Sequence, residues 1–176
     1  MTLLVFYIFL AIGFSFLCSV AEAVLLSITP SYIEGLKQKG KSAGARLEHL
    51  KDNIDRPLSA ILTLNTIAHT AGATGVGATA ARIWGSGAVG ITSALMTLGI
   101  LVLSEIIPKT LGAVYWRQLA PVTARGLVWL IKVLHPFVWM SEMITRLIGG
   151  KRENRVTRDE VAAMATLSSN SGELHD

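Results

Sequence analysis

The stretch "ITSALMTLGILVLSEIIPKTLG", residues 91–112, decides how this chain is read. No Asp, Glu, Lys or Arg occurs from Ile83 to Ser104, and then Glu105, Pro108 and Lys109 follow in quick succession. An uncharged apolar run longer than about 18 residues is a candidate membrane-spanning helix. Two more such runs exist, Leu3 to Ala21 and Leu58 to Ala81. The composition agrees: 51% of the residues are hydrophobic and 16% charged, against about 25% charged in soluble domains. A chain of 176 residues is too short to enclose three such helices in polar structure. The fold class expected is an all-α membrane protein with three transmembrane helices and juxtamembrane amphipathic helices.

The first run is too long for a signal peptide and no basic residue precedes it, so it is expected to stay in the mature chain. Cys18 is the only cysteine, which excludes an intramolecular disulfide. The net charge is +4. Its basic residues lie between the apolar runs and report orientation, so no nucleic-acid partner is expected. The connection from Pro30 to Pro57 holds Lys37, Lys39, Lys41, Arg46, Lys51 and Arg56, whereas Arg82 stands alone between the second and third runs. Positive-inside asymmetry then places this linker and the C-terminus in the cytoplasm. The N-terminus and the turn at Trp84-Gly85-Ser86 fall outside the cell's inner (plasma) membrane.

The linker has a sparse apolar face, Tyr32, Ile33, Leu36, Leu47, Leu50 and Ile54, which predicts two short surface helices interrupted at Gly40 and Gly44. Residues 118–148 carry Arg125, Lys132, Glu142 and Arg146 near one helical face, with Pro121 and Pro136 as breakers. They are expected to lie at the membrane surface rather than cross as a fourth span. Residues 1–148 thus form a transmembrane domain with a belt of helices. Residues 149–176 read as a cytoplasmic linker towards a further regulatory domain. Within it Thr157 and Glu160 form a T-x-x-E capping pattern for a helix through Leu167.

Few strongly polar groups interrupt the three runs: Ser15, Ser19 and Glu22 in the first, Asn65 and His69 in the second, Ser104 and Glu105 in the third. A charge at the bilayer centre costs roughly 2.5–3.5 kcal/mol on insertion scales. Each group has a structural explanation. Ser19 can bond back to a helix carbonyl, Asn65 and His69 can join helices, and Glu105 can pair with Lys109 one turn on. Taken together, however, hydroxyl, amide and carboxylate oxygens are the ligands hard cations prefer. Pro108 has no amide proton to give the Ser104 carbonyl, and Gly112 ends or bends the segment, so the third run reads as a broken helix that adds neutral oxygens. The small residues Ala71, Gly72, Gly75, Gly77 and Ala80 allow close helix approach in the second run.

"SVAEAVLLSI" (19–28), "LTLNTIAHT" (62–70) and "SEIIPKTLG" (104–112) resemble the membrane domain of the CNNM/CorC family of magnesium transporters. The ending "VTRDEVAAMATLSSNSGELHD" resembles that family's link to a cytoplasmic CBS-domain pair. The resemblance implies a homodimer that exports Mg²⁺, coupled to Na⁺ entry. It implies an ion held by Ser19, Asn65, His69, Glu105 and a backbone carbonyl near Gly112, with Glu22, Ser104, Pro108 and Lys109 in support. Val20, His69 and Ser104 depart from the family pattern. His69 matters most, because imidazole suits Zn²⁺, Ni²⁺ or Co²⁺ better than Mg²⁺. A membrane-anchored sensor that binds a divalent cation without moving it is the alternative. An enzyme is not expected, since neither HExxH nor GxSxG occurs.

Overall fold

The computed structural model describes residues 1–148. The chain divides into two compact units, Met1–Met143 and Ile144–Asp176, and the first is described here by itself. The helix expected after Thr157 lies outside the described residues.

Every described element is helical, in the order α1 (Thr2–Ser27), α2 (Pro30–Gln38), α3 (Ser42–Asp52), α4 (Asp55–Trp84), α5 (Ala88–Gly99), a π-helical segment (Ile100–Ile106), α6 (Ile107–Val114), α7 (Trp116–Val133) and α8 (His135–Ile148). Thr29 caps α2 by accepting from the Tyr32 amide, and Pro30 opens it. Gly40 turns the chain at φ +65, a left-handed conformation that costs glycine nothing. Gly44 does not interrupt the linker as expected. It is buried inside α3, where a Cβ would come 2.9 Å from the Lys37 backbone nitrogen. Gly85, at φ +85, ends α4 and makes the expected tight turn into α5.

Among the described residues, two helices are long and apolar enough to cross a membrane, Thr2–Ser27 and the composite Ala88–Val114. The pair α7 and α8 would make a third if counted as one span. The 30-residue α4 is not among them, although at about 1.5 Å per residue it is long enough. Asn65, His69, five threonines and three glycines dilute its apolarity. The apolarity expected of the second span is therefore not met by α4, and the candidate spans among the described residues are two, or three if α7 and α8 count as one.

The packing is close. α4 runs antiparallel to α1: Gly75 meets the Tyr7 ring, Gly72 meets Ala11, and His69 meets Ser15. A Cβ at Gly72 would lie 2.2 Å from that of Ala11, so only glycine permits this approach. Ala88–Val114 runs parallel to α1, with Gly99 beside Ile12 and Gly112 against Val20 and Ala23. At the linker end of the bundle a larger core forms from Val24, Leu25, Ile28, Ile33, Leu36, Leu47, Leu50, Ile61, Ala120, Ala124 and Leu127. It welds α2, α3 and α7 to the ends of α1 and α4. Lys51 donates to the Leu25 carbonyl at the end of α1, and burial pushes its ammonium below the usual lysine range.

The prolines act differently from one another. Pro121 sits inside α7 without ending it. It deprives the Arg117 carbonyl of its helical donor, and the Tyr32 hydroxyl donates to that carbonyl instead, at 2.7 Å. The chain bends by 85° between α7 and α8, just before Pro136, which is the kink expected there. The middle of α8 is tied to the start of α4 by an Arg56–Glu142 ion pair and a Ser59–Ser141 hydroxyl contact of 2.8 Å.

The third run is not broken at Pro108. It continues to Val114, but residues 100–106 are wound as a π-helix and Pro108 lies in the first turn of α6. The Ile107 amide donates to Val102 and Pro108 has no amide. The carbonyl left without a donor from either the fourth or the fifth residue on is therefore that of Leu103. The Ser104 hydroxyl donates back to the Ile100 carbonyl at 2.7 Å.

Candidate functional site

The two helix registers define a level in the bundle. Ser15 on α1 faces His69 on α4, with Ser15 Oγ and His69 Nε2 2.6 Å apart. Because these helices are antiparallel, one turn forward on α1 corresponds to one turn back on α4. Ser19 therefore comes level with Asn65. Ser19 is buried, and neither its Oγ nor the Asn65 Oδ1 has a hydrogen-bond partner. A buried polar atom left in this state costs about 1–3 kcal/mol, and two such atoms lie at one level of one helix pair.

The parallel register of α1 with the third run adds a third group. Gly99 stands beside Ile12 and Lys109 reaches Glu22, so Glu105 falls at the depth of Cys18 and Ser19. Glu105 lies on the π-helical segment, a winding that recurs at functional sites. It does not pair with Lys109. That ammonium instead lies 3.4 Å from Glu22 Oε2 on α1, and Glu105 has no ion pair or hydrogen bond among the described residues. A hydroxyl, an amide oxygen and a carboxylate thus occupy one depth on three helices, each without a protein partner.

Gly112 lies one to two turns nearer the linker end. A Cβ there would meet the Val20 carbonyl oxygen and the Ala23 Cβ, each at 2.8 Å. Glycine lets α6 seat against the "SVAEA" segment itself. His69 belongs to a different level from Ser19 and Asn65, and its Nε2 is engaged by Ser15. Ser15, whose side chain is buried, is the residue that reading along the sequence did not assign a role. Its spacing of one turn from Ser19 was the available signal. No cluster of three or more His, Cys, Asp or Glu that could hold a metal exists among the described residues.

The long apolar helices, the lipid-exposed side chains around them and the polar level between them define a helical membrane-protein domain. A family model described as the cyclin M transmembrane N-terminal domain (CNNM) matches residues 6–176, and the chain belongs to this family. It is 33% identical over 166 residues to a UPF0053 protein of Synechocystis, covering 94% of this chain and 48% of that protein. It is 28% identical to a chloroplastic DUF21 domain-containing protein of Arabidopsis thaliana, covering 94% of this chain and 26% of that one. A UPF0053 protein of Haemophilus influenzae is 29% identical over 126 residues, covering 72% and 30% respectively. The chain therefore spans about half or less of the length of these relatives.

Proposed function

We propose that this domain carries Mg²⁺ across the membrane by alternating access, as an exporter driven by Na⁺ entry, within a homodimer whose full-length chains bear a cytoplasmic CBS-domain pair. The carrying observation is the level formed by Ser19, Asn65 and Glu105. Its oxygens are of the kind hard cations take, and two of them are buried without partners. Mg²⁺ binds through few protein oxygens and keeps several waters, so a site with a single carboxylate suits a cargo that must also be released. Glu105 supplies the charge, Ser19 and Asn65 the dipoles, and a carbonyl near Gly112 a further neutral oxygen. His69, engaged by Ser15, holds α4 on α1 beside the ion. The basic linker sets the orientation, with the linker end cytoplasmic and Gly85 outside. The bent α7–α8 pair, with Trp129 and Trp139 exposed, rests at the cytoplasmic interface without crossing.

Glu105→Gln tests this reading. It keeps the shape and much of the hydrogen bonding but removes the negative charge. Mg²⁺ at saturating concentration should raise the thermal stability of the wild type by mass action and leave the variant unmoved, and flux in proteoliposomes should be lost. Without Mg²⁺ the variant should be at least as stable as the wild type, because a neutral amide is cheaper to hold in the membrane than a carboxylate. A variant that keeps both the Mg²⁺ response and the flux would remove Glu105 from the site.

A further inference from the structure

We infer that the Glu22–Lys109 ion pair is a latch that holds α6 against α1 at the cytoplasmic edge of the ion site. The inference rests on the transport reading above. Glu22 lies three residues beyond Ser19 and therefore on the same face of α1, one turn nearer the linker end. Lys109 lies four residues beyond Glu105 and stands in the same relation to it. The pair, 3.4 Å apart, thus joins the two helices that carry Ser19 and Glu105, one turn towards the cytoplasm from both. The following turn is the seam where Gly112 seats on Val20 and Ala23 with no room for a side chain. An ion leaving the Ser19 and Glu105 level along this crevice towards the linker end must pass the pair and part the seam. That requires α6 to move off α1.

The surroundings suit a contact that opens repeatedly. Neither partner is covered by the protein, with 33% of the Glu22 side chain and 47% of the Lys109 side chain exposed. At the cytoplasmic edge proposed for it, water reaches the pair and keeps it weak, so it biases the closed arrangement without locking it. The seam beneath it rests on close packing of Gly112 against Val20 and Ala23. The hinge is at hand as well: the π-helical segment Ile100–Ile106 directly precedes α6. Its winding can relax to α-helical and swing the short helix that follows, and mid-helix irregularity of this kind marks hinges. Glu22 would otherwise be a second carboxylate beside the site. Paired with Lys109, it leaves Glu105 as the group that reads the ion's charge.

The test separates the latch from the site. With Cys18 replaced by alanine, Ser19→Cys serves as a reporter for a membrane-impermeant thiol reagent, applied to inside-out and right-side-out vesicles. Glu22→Gln or Lys109→Gln should speed cytoplasmic labelling of the reporter by about fivefold, the population shift expected from losing a solvent-reached pair. Labelling from the other face should not rise. The exchanged variant Glu22→Lys with Lys109→Glu should restore slow labelling, and it keeps the test decisive if a single variant folds poorly. Unchanged labelling in both single variants, or a double variant as fast as the singles, would overturn the latch. The Mg²⁺-dependent thermal shift of Glu22→Gln, measured with Ser19 intact, should persist. Absence of that shift in the wild type would instead strike the transport reading, whatever the labelling shows.

Discussion

The imidazole Nε2 of His69 lies 2.6 Å from the hydroxyl of Ser15, and together with the Gly72–Ala11 and Gly75–Tyr7 contacts it sets the register of α4 on α1. From it follows the alignment of Ser19 with Asn65 one turn away, and with it the composition of the candidate site. Ser15 is buried and polar, so the bond also satisfies a group that lipid or apolar packing would leave orphaned.

Removal of either partner should therefore loosen the helix pair. Ser15→Ala and His69→Ala should each destabilise the protein in detergent by about 1 kcal/mol, with a coupling energy of about 0.6–1.7 kcal/mol in a double-mutant cycle. His69→Asn should leave the preference for Mg²⁺ over Zn²⁺ or Co²⁺ as it is in the wild type. A shift of preference towards Mg²⁺ in His69→Asn would show the imidazole entering the ion's coordination directly.

Ser19→Ala probes the orphaned hydroxyl. A packing serine with a partner would lose stability on truncation, whereas Ser19 Oγ has none. The alanine variant should be as stable as the wild type without Mg²⁺, or more stable by about 1–3 kcal/mol, since an unsatisfied buried group is removed. Its stabilisation by Mg²⁺ should fall sharply. Thermal melts with and without Mg²⁺ report both quantities, and a variant that loses stability but keeps its Mg²⁺ response would make Ser19 a packing residue.

Gly72→Ala and Gly77→Ala form a matched pair on one helix. At Gly72 the new methyl would be 2.2 Å from Ala11, whereas at Gly77 the nearest atom is Val89 at 4.0 Å. The first should destabilise by about 1–3 kcal/mol through overpacking. The second should be neutral or stabilising by up to about 1 kcal/mol from helix propensity. Equal effects would contradict the α1–α4 seam described here.

Orientation is checked with single cysteines at Lys39 and Ser86, again with Cys18 replaced. An impermeant reagent applied outside intact cells should modify the second and spare the first. Modification of Lys39→Cys from outside would invert the proposed topology.

Much of this was legible along the chain because helices in an apolar solvent obey strong local rules. Uncharged runs and the glycine turn at Gly85 set three long helices. The apolar periodicity of the linker set α2 and α3, and Pro136 set the bend before α8. Polar residues in such runs are costly, so Ser15, Ser19, Glu22, Asn65, His69, Ser104 and Glu105 stood out from the residues alone, and the family resemblance singled out Ser19, Asn65, His69 and Glu105 among them. Where the local reading slipped, a tertiary contact was responsible. Gly44 looked like an interruption but fits a helix against Lys37. Pro108 looked like a break, but the chain continues through it to Val114, with residues 100–106 wound as a π-helix and the Leu103 carbonyl left without a donor.

The sequence by itself determined the class of solvent, the helices and the family, because hydropathy, turn chemistry and motif spacing act over a few residues. Only the tertiary structure decided which polar groups find one another. Lys109 is within local reach of Glu105 yet pairs with Glu22, because the parallel register of α6 on α1 brings that carboxylate to it. His69 takes Ser15 as partner, and Ser19 and Asn65 are left level with each other and unpartnered. Pairing across helices depends on relative rotation and depth, which close glycine contacts fix and no local pattern encodes.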